Sequence, residues 1–421
     1  MPTVPICTVT AWLWPVVLDR SVVLRSGTFA LTALLAALTA VGPLSTDMYL
    51  PSLPAIAREF HATTAQAELT ISSYLIGFAF GQLIYGPISD RYGRKPILLV
   101  ALGLYAAASL AASFAPSVDA LIAARAVQAV GGCGAIVLAR AIVRDLYSGA
   151  RAGRELSLMG LVMALAPVVA PLIGGLLQTL FGWQANFLAL VLCGLAIAGV
   201  VWRLLPETLE PGLRRPLSAL AIARSFGTFL TDRGYLAHTG IVVFTYAGLF
   251  AWISGASFVL QDIYRLSSLA FGVAFAVGSA GVMVGSAFST RLSGRLSFNA
   301  LIGIGVTTQI TGGLLMVAAL MVGVSSALGL VLPMAVYLAG LGIVLPQAIA
   351  AAMHPYRDRA GTASSLLGFL QQSAAAVCGI VVGRLLGQSA WPMVLGIAVT
   401  ALIALAIWAT TRHVREHALR H

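Results

Sequence analysis

Two charged residues inside otherwise apolar segments, Asp47 and Arg125, are the strongest candidates for chemistry in this sequence. If these segments cross a membrane, each charge costs roughly 2.5–3.5 kcal/mol at a helix centre, so each is a candidate functional residue. A carboxyl group in a partly dehydrated cavity can bind and release a proton near neutral pH, because burial disfavours its charged form. The guanidinium of Arg125 stays protonated, so it is expected to act on the charge of Asp47 or to bind anionic or polar groups. Asp47 stands between Pro43 and Pro51, and a purely interfacial position is the alternative.

The composition places the chain in a membrane. Of its 421 residues, 59% are apolar and 9% are charged, whereas about 25% are charged in soluble domains. The net charge of +11 would suggest a nucleic-acid partner in a soluble protein. Here the Lys and Arg residues form small groups between apolar runs, as in the loops of membrane proteins, so we expect a lipid bilayer and no nucleic acid. The four cysteines are far apart and predict neither disulfides nor a metal site.

Stretches without charged residues give the number of membrane spans, because a helix needs about 20 apolar residues to cross. Two of these stretches, 156–202 and 296–356, are of double length, with breaks predicted around 181–183 and 323–326. The pattern predicts an all-α membrane protein with twelve transmembrane helices. We number the spans 1 to 12 in chain order.

A long polar stretch divides the twelve spans into six and six. The loop Ser89–Arg94 after span 2 is echoed by Ser289–Arg295 after span 8, which predicts two pseudo-symmetric six-helix bundles. The expected division is a cytoplasmic tail at 1–26, an N-terminal bundle at 27–205, a cytoplasmic linker at 206–233, a C-terminal bundle at 234–410 and a cytoplasmic tail at 411–421. If both termini are cytoplasmic, nearly all Lys and Arg residues lie on the cytoplasmic side. This agrees with the excess of Lys and Arg in the cytoplasmic loops of membrane proteins.

The loop between spans 2 and 3, Gly86–Pro96, contains more charged residues than a turn requires: an acidic residue followed by three cations. Gly93 permits a positive φ, and Pro96 suits the first turn of span 3. Asp90 can pair with a neighbouring cation or with the positive N-terminus of a helix from the other half. The second pairing would latch the two halves together on the cytoplasmic side.

This loop resembles the signature of the major facilitator superfamily. In that family it acts as a cytoplasmic gate, a role that the resemblance transfers to Gly86, Asp90, Arg91, Gly93, Arg94 and Lys95. The stretch from Leu121 through Arg125 and Gln128 is similar to the span-4 motif of the family. A span-5 stretch resembles the motif of proton-driven antiporters and comprises Ala166, Ala170, Pro171, Gly174 and Gly175. Its small residues also suit simple helix packing, which is the alternative.

The stretch Ser45–Pro54 resembles the span-1 signature of the Bcr/CflA drug-resistance branch of this superfamily, and Leu205–Thr208 matches it as well. The resemblance implies a monomeric bacterial inner-membrane transporter that exports small amphipathic drug-like compounds in exchange for protons, by alternating access. The proton gradient would drive it without a cofactor, and the sequence has no ATP-binding GxxxxGK[ST] loop. A proton-coupled or facilitative carrier of a metabolite is the alternative. No motif of a membrane enzyme is present, so we expect no catalysis.

Polar and aromatic side chains in the middle of the spans are candidates for lining a substrate cavity. In the N-terminal half these are Tyr74 and Gln128. In the C-terminal half they are Tyr246, Phe250 and Gln347.

Overall fold

A computed structural model describes residues 24, 28–210, 212 and 219–418, and this part of the chain contains helices and no strands. Twelve helices are long and apolar enough to cross a membrane. They are α1 Phe29–Asp47, α2 Thr64–Tyr92, α3 Arg94–Ser113, α4 Val118–Leu146, α5 Gly149–Phe181, α6 Gln184–Leu204, α7 Arg233–Phe258, α8 Ser268–Leu292, α9 Phe298–Met321, α10 Leu328–Met353, α11 Ala360–Leu385 and α12 Trp391–Thr410. The predicted fold class and the twelve spans are confirmed.

The helices end where the sequence provides caps and glycines. Thr63 and Gln66 form a reciprocal capping box at the start of α2, which satisfies backbone N–H groups that have no partner within the helix. Gly182, with φ +81°, separates α5 from α6, and Gly323, with φ +72°, follows α9. Both predicted breaks in the double-length stretches are therefore confirmed.

The two halves repeat the same packing. Most packed helix pairs of the first half recur six helices later, among them α1–α4 and α7–α10, α1–α5 and α7–α11, α2–α4 and α8–α10, α3–α4 and α9–α10, α3–α6 and α9–α12. The halves meet along α2 and α11 and along α5 and α8. The internal repeat relates these two pairings to each other, because α2 corresponds to α8 and α5 corresponds to α11. The fold is thus a pseudo-symmetric pair of six-helix bundles.

The loops define two faces of the molecule. The arginine-rich side carries the loop between α2 and α3, and the arginine-poor side carries Arg58, Arg265 and Arg384. On the arginine-poor side, the short helix Leu53–Glu59 continues the chain after α1 and packs against α2 and α7.

The segments outside the spans are described only in part, and their division stays a prediction. The proposed tail at 1–26 lies outside the described residues except for Leu24, whose N–H donates to the Leu204 carbonyl at 2.9 Å. Within the proposed linker, 211 and 213–218 lie outside the described residues, and a helix occupies Ala219–Thr231. Of the proposed tail at 411–421, a short helix covers Arg412–Ala418, and 419–421 lie outside the described residues.

Glycines on α8 let α10 approach closely. A Cβ added at Gly285 would overlap the backbone carbonyl of Ala339, and one at Gly281 would overlap that of Ala335. On the same helix, a Cβ at Gly278 would meet nothing within 4 Å. Without a hydrophobic effect between helices in lipid, such backbone contacts are a main source of helix association.

We expect Gly285→Ala to destabilise the protein and Gly278→Ala to leave it intact or stabilise it. The same methyl group gains roughly 1 kcal/mol of helix propensity at both positions, but at Gly285 it also forces α8 and α10 apart, at a cost of about 1–3 kcal/mol. Thermal unfolding of the two variants in detergent, followed by size-exclusion chromatography, measures the difference. Equal melting temperatures would contradict the close approach of α8 and α10.

Candidate functional site

Asp47 is the last residue of α1 and is 4% exposed. The Thr46 hydroxyl donates to its Oδ1 at 2.9 Å. Tyr74 on α2 and Tyr246 on α7 both lie within electrostatic reach of its carboxyl group. Asp47 therefore ends the regular helix α1 but lies inside the first candidate membrane span, Phe29–Glu59, and the aromatic residues near it come from both halves.

Arg125 lies inside the N-terminal bundle with no exposed surface. Its guanidinium carbon is 4.3 Å from the ring centroid of Tyr49 and 4.3 Å from that of Tyr74. Its Nη1 donates to Gln128 Oε1 at 2.5 Å, and its Nε donates to the Thr70 carbonyl at 3.4 Å. Cation–π contacts in such a dehydrated site contribute about 2 kcal/mol, so aromatic faces and carbonyl oxygens stabilise this charge.

Asp47 and Arg125 do not form an ion pair in the described part of the chain. The Gln128 amide instead extends the contacts of Arg125 to α3 by donating to Ser109 Oγ at 2.7 Å. In this conformation Arg125 and Gln128 connect helices of one bundle. The two predicted roles of Arg125, on Asp47 and on a substrate, stay predictions.

The candidates in the C-terminal half lie in two different places. Tyr246 and Phe250 stack on α7 with ring centroids 5.0 Å apart, and Tyr246 shares the surroundings of Asp47. Gln347 on α10 donates to Ser289 Oγ of α8 at 2.8 Å. Ser289 is three residues from the arginine-rich end of α8, whereas Asp47 is at the arginine-poor end of α1. The structure therefore brings Tyr74 and Tyr246 towards Asp47 and keeps Gln347 away from it.

On the arginine-poor side, the backbone after Asp47 joins the two halves. Pro54 has no N–H, so the Leu50 carbonyl lacks its α-helical donor and accepts instead from the Leu53 N–H in a 3₁₀ turn. Ser257 at the end of α7 also donates to this carbonyl, at 2.6 Å. The Gln261 amide donates to the Pro51 carbonyl at 3.1 Å. Peptide oxygens of one half thus accept additional hydrogen bonds from side chains of the other.

The exposed rim and the α5–α8 contact complete this closure. Arg58 and Asp262 form an ion pair across the halves at 3.3 Å. On α5, a Cβ at Gly175 would lie 2.6 Å from the Ser268 carbonyl, and one at Gly272 of α8 would lie 2.6 Å from the Pro171 carbonyl. We call these contacts, together with those of Leu50 and Pro51, the outer seal.

The span-5 motif lies at the outer seal. Ala166 and Ala170 are buried, and a Cβ at Gly174 would overlap the Met48 carbonyl beside Asp47. The small residues hold α5 directly against the end of α1 and the start of α8. Their role in antiport stays a prediction, and close helix packing accounts for the contacts seen.

The gate loop of the sequence analysis is built around Arg94. Gly93 has φ +99° and both ends α2 and begins α3. The Arg94 guanidinium pairs with Asp90 at 2.6 Å and with Asp145 of α4 at 2.9 Å. The Glu207 carboxylate, from the stretch after α6, accepts from the backbone N–H groups of Arg94 and Lys95 at 2.9 and 3.2 Å.

Of the two partners considered for Asp90, the structure shows the neighbouring cation. The network ties α2, α3, α4 and the stretch after α6 together within the N-terminal half. Gly86 lies open, with nothing within 4 Å of an added Cβ, and Arg91 lies over the Tyr92 ring at 5.1 Å. A latch to the other half through this loop stays a prediction for a different conformation.

The sequence analysis did not identify three acidic residues that the structure singles out. Asp145 is the next-to-last residue of α4, and Glu207 follows α6 in a stretch that resembles the family. The third, Glu68, directly precedes the charge-free stretch 69–89, but it lies inside α2 with no exposed surface. The described residues hold no group of three or more His, Cys, Asp or Glu side chains placed to bind a metal ion.

Twelve spans in two related bundles, with buried ionisable residues where the bundles meet, define a membrane transporter of the two-domain type. The chain belongs to the Major Facilitator Superfamily, whose profile matches residues 35–379. Among solved structures, the fold is similar to a partially occluded inward open conformation of the xylose transporter XylE from Escherichia coli. The TM-score is 0.69 at 12% identity, covering 91% of this chain and 97% of that one.

Curated relatives cover nearly the whole chain. The uncharacterized MFS-type transporter YdgK of Bacillus subtilis is 35% identical over 91% of this chain and 96% of its own length. A bicyclomycin resistance protein homolog of Haemophilus influenzae is 30% identical over 93% and 99%. Multidrug resistance protein D of Escherichia coli is 33% identical over 82% and 86%. These relatives confirm the resemblance to the Bcr/CflA branch.

The Arg94 network makes a stability prediction. Arg94→Ala removes the cation from Asp90 and Asp145, and loss of hydrogen bonds to charged groups costs about 1.5–3 kcal/mol. Arg91→Ala, in the same loop, removes an exposed side chain that stacks on its neighbour and should cost under about 0.5 kcal/mol. Thermal unfolding in detergent compares the two variants. Equal melting temperatures would show that the ion pairs of Arg94 do not stabilise the bundle.

Proposed function

We propose that this protein exports small amphipathic, drug-like compounds from the bacterial cytoplasm in exchange for protons. The observation that carries the proposal is the position of Asp47, a buried carboxyl group at the junction of the two halves, beside a seal that closes one side. Such a group can bind a proton in one conformation and release it in another, because its hydration changes with the conformation. The names of the bicyclomycin and multidrug resistance relatives support drugs as the substrate class.

The proposed cycle rocks the two bundles around the Asp47 region. In the structure the arginine-poor side is closed by the outer seal. We assign the arginine-rich side to the cytoplasm, following the positive-inside rule, and propose that substrate enters when this side opens. Opening the seal would expose Asp47 and the aromatic residues Tyr74, Tyr246 and Phe250 to the periplasm.

The proton gradient is sufficient to drive this export. One proton moving inward releases about 2.3 kcal/mol per 100 mV of membrane potential, and tenfold accumulation of a neutral compound needs about 1.4 kcal/mol. A single proton bound at Asp47 therefore supports more than tenfold uphill export. We propose that the protein works as a monomer and needs no cofactor.

Asp47→Asn should abolish uphill export and leave the protein folded. The amide keeps the size of the side chain but cannot exchange a proton. We expect the wild type to protect a pump-deficient bacterium against part of a panel of chloramphenicol-like, quinolone, sulfonamide and cationic compounds, and we expect the variant not to. In everted vesicles, accumulation of a protective compound should fall from tenfold or more to about the equilibrium level.

Asp119→Asn is the matched control, because Asp119 is an exposed carboxylate in the first turn of α4. This variant should transport like the wild type at equal expression. Full pH-driven transport by Asp47→Asn would reject Asp47 as the coupling residue. Absence of protection by the wild type would favour a metabolite as the substrate.

The assigned orientation has its own test in cells. In a background without the native cysteines, a cysteine replacing exposed Gln388, between α11 and α12, should react with a membrane-impermeant maleimide added outside. A cysteine replacing exposed Arg295, between α8 and α9, should react only after the membrane is permeabilised. The opposite pattern would reverse the topology.

A further inference from the structure

Glu68 is a second buried carboxyl group, and the proposed transport cycle does not use it. It lies one turn into α2 from the arginine-poor end, with no exposed surface. Neither carboxylate oxygen has a hydrogen-bond partner among the described residues, and Glu68 is in none of their ion pairs. The second buried glutamate, Glu155, differs in this respect, because its Oε2 accepts a hydrogen bond from Thr32 at 2.8 Å.

The surroundings of Glu68 come from both halves. Ser254 on α7 interacts with its carboxyl group, although the geometry falls short of a full hydrogen bond. On α11, a Cβ at Gly383 would lie 2.7 Å from Glu68 Cβ. A Cβ at Gly379 would lie 2.8 Å from Ser254 Oγ and 3.0 Å from Ser72 Oγ. Glu68 and two serine hydroxyls are thus enclosed where α2, α7 and α11 meet, on the side closed by the outer seal.

The surrounding charges do not neutralise this carboxyl group. The Tyr49 phenol is within electrostatic reach of both Glu68 and Arg125. Arg125 is held by its aromatic and carbonyl contacts. The charged groups on the other elements packed around this end of α2 have partners elsewhere or are exposed: Arg58 with Asp262, Glu59 with Trp183 Nε1, and Arg384 on the surface of α11.

An ionised carboxylate enclosed without a partner costs several kcal/mol, so such a group takes up a proton instead. When the halves separate on the arginine-poor side, α7 and α11 must move away from α2, because they belong to the other bundle. Water then reaches Glu68, and its charged form loses this penalty. The state of the seal and the proton on Glu68 are therefore linked.

We propose that Glu68 is a proton-binding site of the outer seal, separate from the coupling site, and that the seal closes only with a proton bound there. The proton enters from the arginine-poor side when the seal closes and returns to that side when it opens, because Glu68 is enclosed in the closed state. Glu68 thus makes the open and closed populations respond to pH on that side, without adding a transported proton. The proposal does not depend on which compound is exported.

The direction of the effect follows from linkage. The closed state binds one more proton than the open state, so acid favours closure and alkali favours opening. For one proton, the ratio of closed to open molecules changes by up to tenfold per pH unit. A carboxamide or an apolar side chain at this position has no proton to exchange and should keep the ratio constant.

Electron–electron double resonance, which measures the distance between two spin labels placed across the outer seal, tests this proposal directly. Spin labels on Arg58→Cys and Asp262→Cys, without the native cysteines and in lipid nanodiscs, report whether the seal is open, and they remove the titratable pair from the rim. The experiment is done in an Asp47→Asn background, so that the coupling carboxyl does not contribute. Distance distributions are recorded between pH 5 and pH 9 for Glu68, Glu68→Gln and Glu68→Met.

With Glu68 present, we expect the long-distance population to rise with pH, and with Gln or Met it should stay constant. Glu155→Gln, which changes the other buried glutamate within one half, should keep the pH response. A constant distribution with Glu68 present, or an unchanged response in both Glu68 variants, would overturn the proposal. Loss of the response in Glu155→Gln as well would overturn it too, since the effect would then not be specific to Glu68. Failure of the coupling role of Asp47 would appear in the vesicle assay and would leave these distances unaffected.

Discussion

The closed side of this transporter depends on one constraint: a peptide carbonyl inside a membrane protein needs a donor, and water is absent. Pro54 has no N–H for the Leu50 carbonyl, so this carbonyl accepts from the Leu53 N–H in a 3₁₀ turn. The Ser257 hydroxyl of the other half is its second donor, at 2.6 Å, and the Gln261 amide donates to the Pro51 carbonyl. Rotation of the halves that opens these contacts removes both side-chain donors, and water takes their place. The proline-rich stretch therefore makes hydration of the backbone part of the conformational change.

The surroundings of the buried ionisable residues differ according to whether the residue can lose its charge. Arginine cannot, and among the described residues the buried arginines of the N-terminal half both have partners: aromatic faces and carbonyls for Arg125, and two carboxylates for Arg94. Carboxyl groups can become neutral by binding a proton. Asp47 and Glu68 accordingly lie at the junction of the halves without a cation beside them. This division assigns Arg125 and Arg94 to holding one bundle together, and Asp47 and Glu68 to events between bundles.

Much of the architecture could be predicted from the sequence, because each membrane span requires a long stretch of apolar residues. The twelve spans and the breaks at Gly182 and Gly323 followed from charge-free lengths and from turn residues. Asp47 ends the regular helix α1, but span 1 continues to Glu59, which the charge-free lengths did not indicate. The partners within the site did not follow. Residues such as Tyr49 and Arg125, or Glu68 and Ser254, are distant in sequence, and contacts between helices leave no periodic pattern. Glu68 was missed because a charge near the end of a span looks like the start of a loop, whereas helix packing encloses it here. The partner of Gln347 was not predictable for a related reason: its position along a span indicated its depth, but not its bond to Ser289.

The contact of Glu207 with the start of α3 has a mechanical consequence. The carboxylate accepts from the backbone of Arg94 and Lys95, and the neighbouring Thr208 hydroxyl donates to Asp145 at 3.2 Å. These hydrogen bonds fasten the first residues after α6 to the N-terminal bundle. The tether between the two bundles begins effectively after this anchor and is shorter than the sequence between α6 and α7. The other end of the tether is joined to the C-terminal bundle. A force transmitted along the tether would therefore act first on α3 and α4, the two helices that hold the gate loop in place.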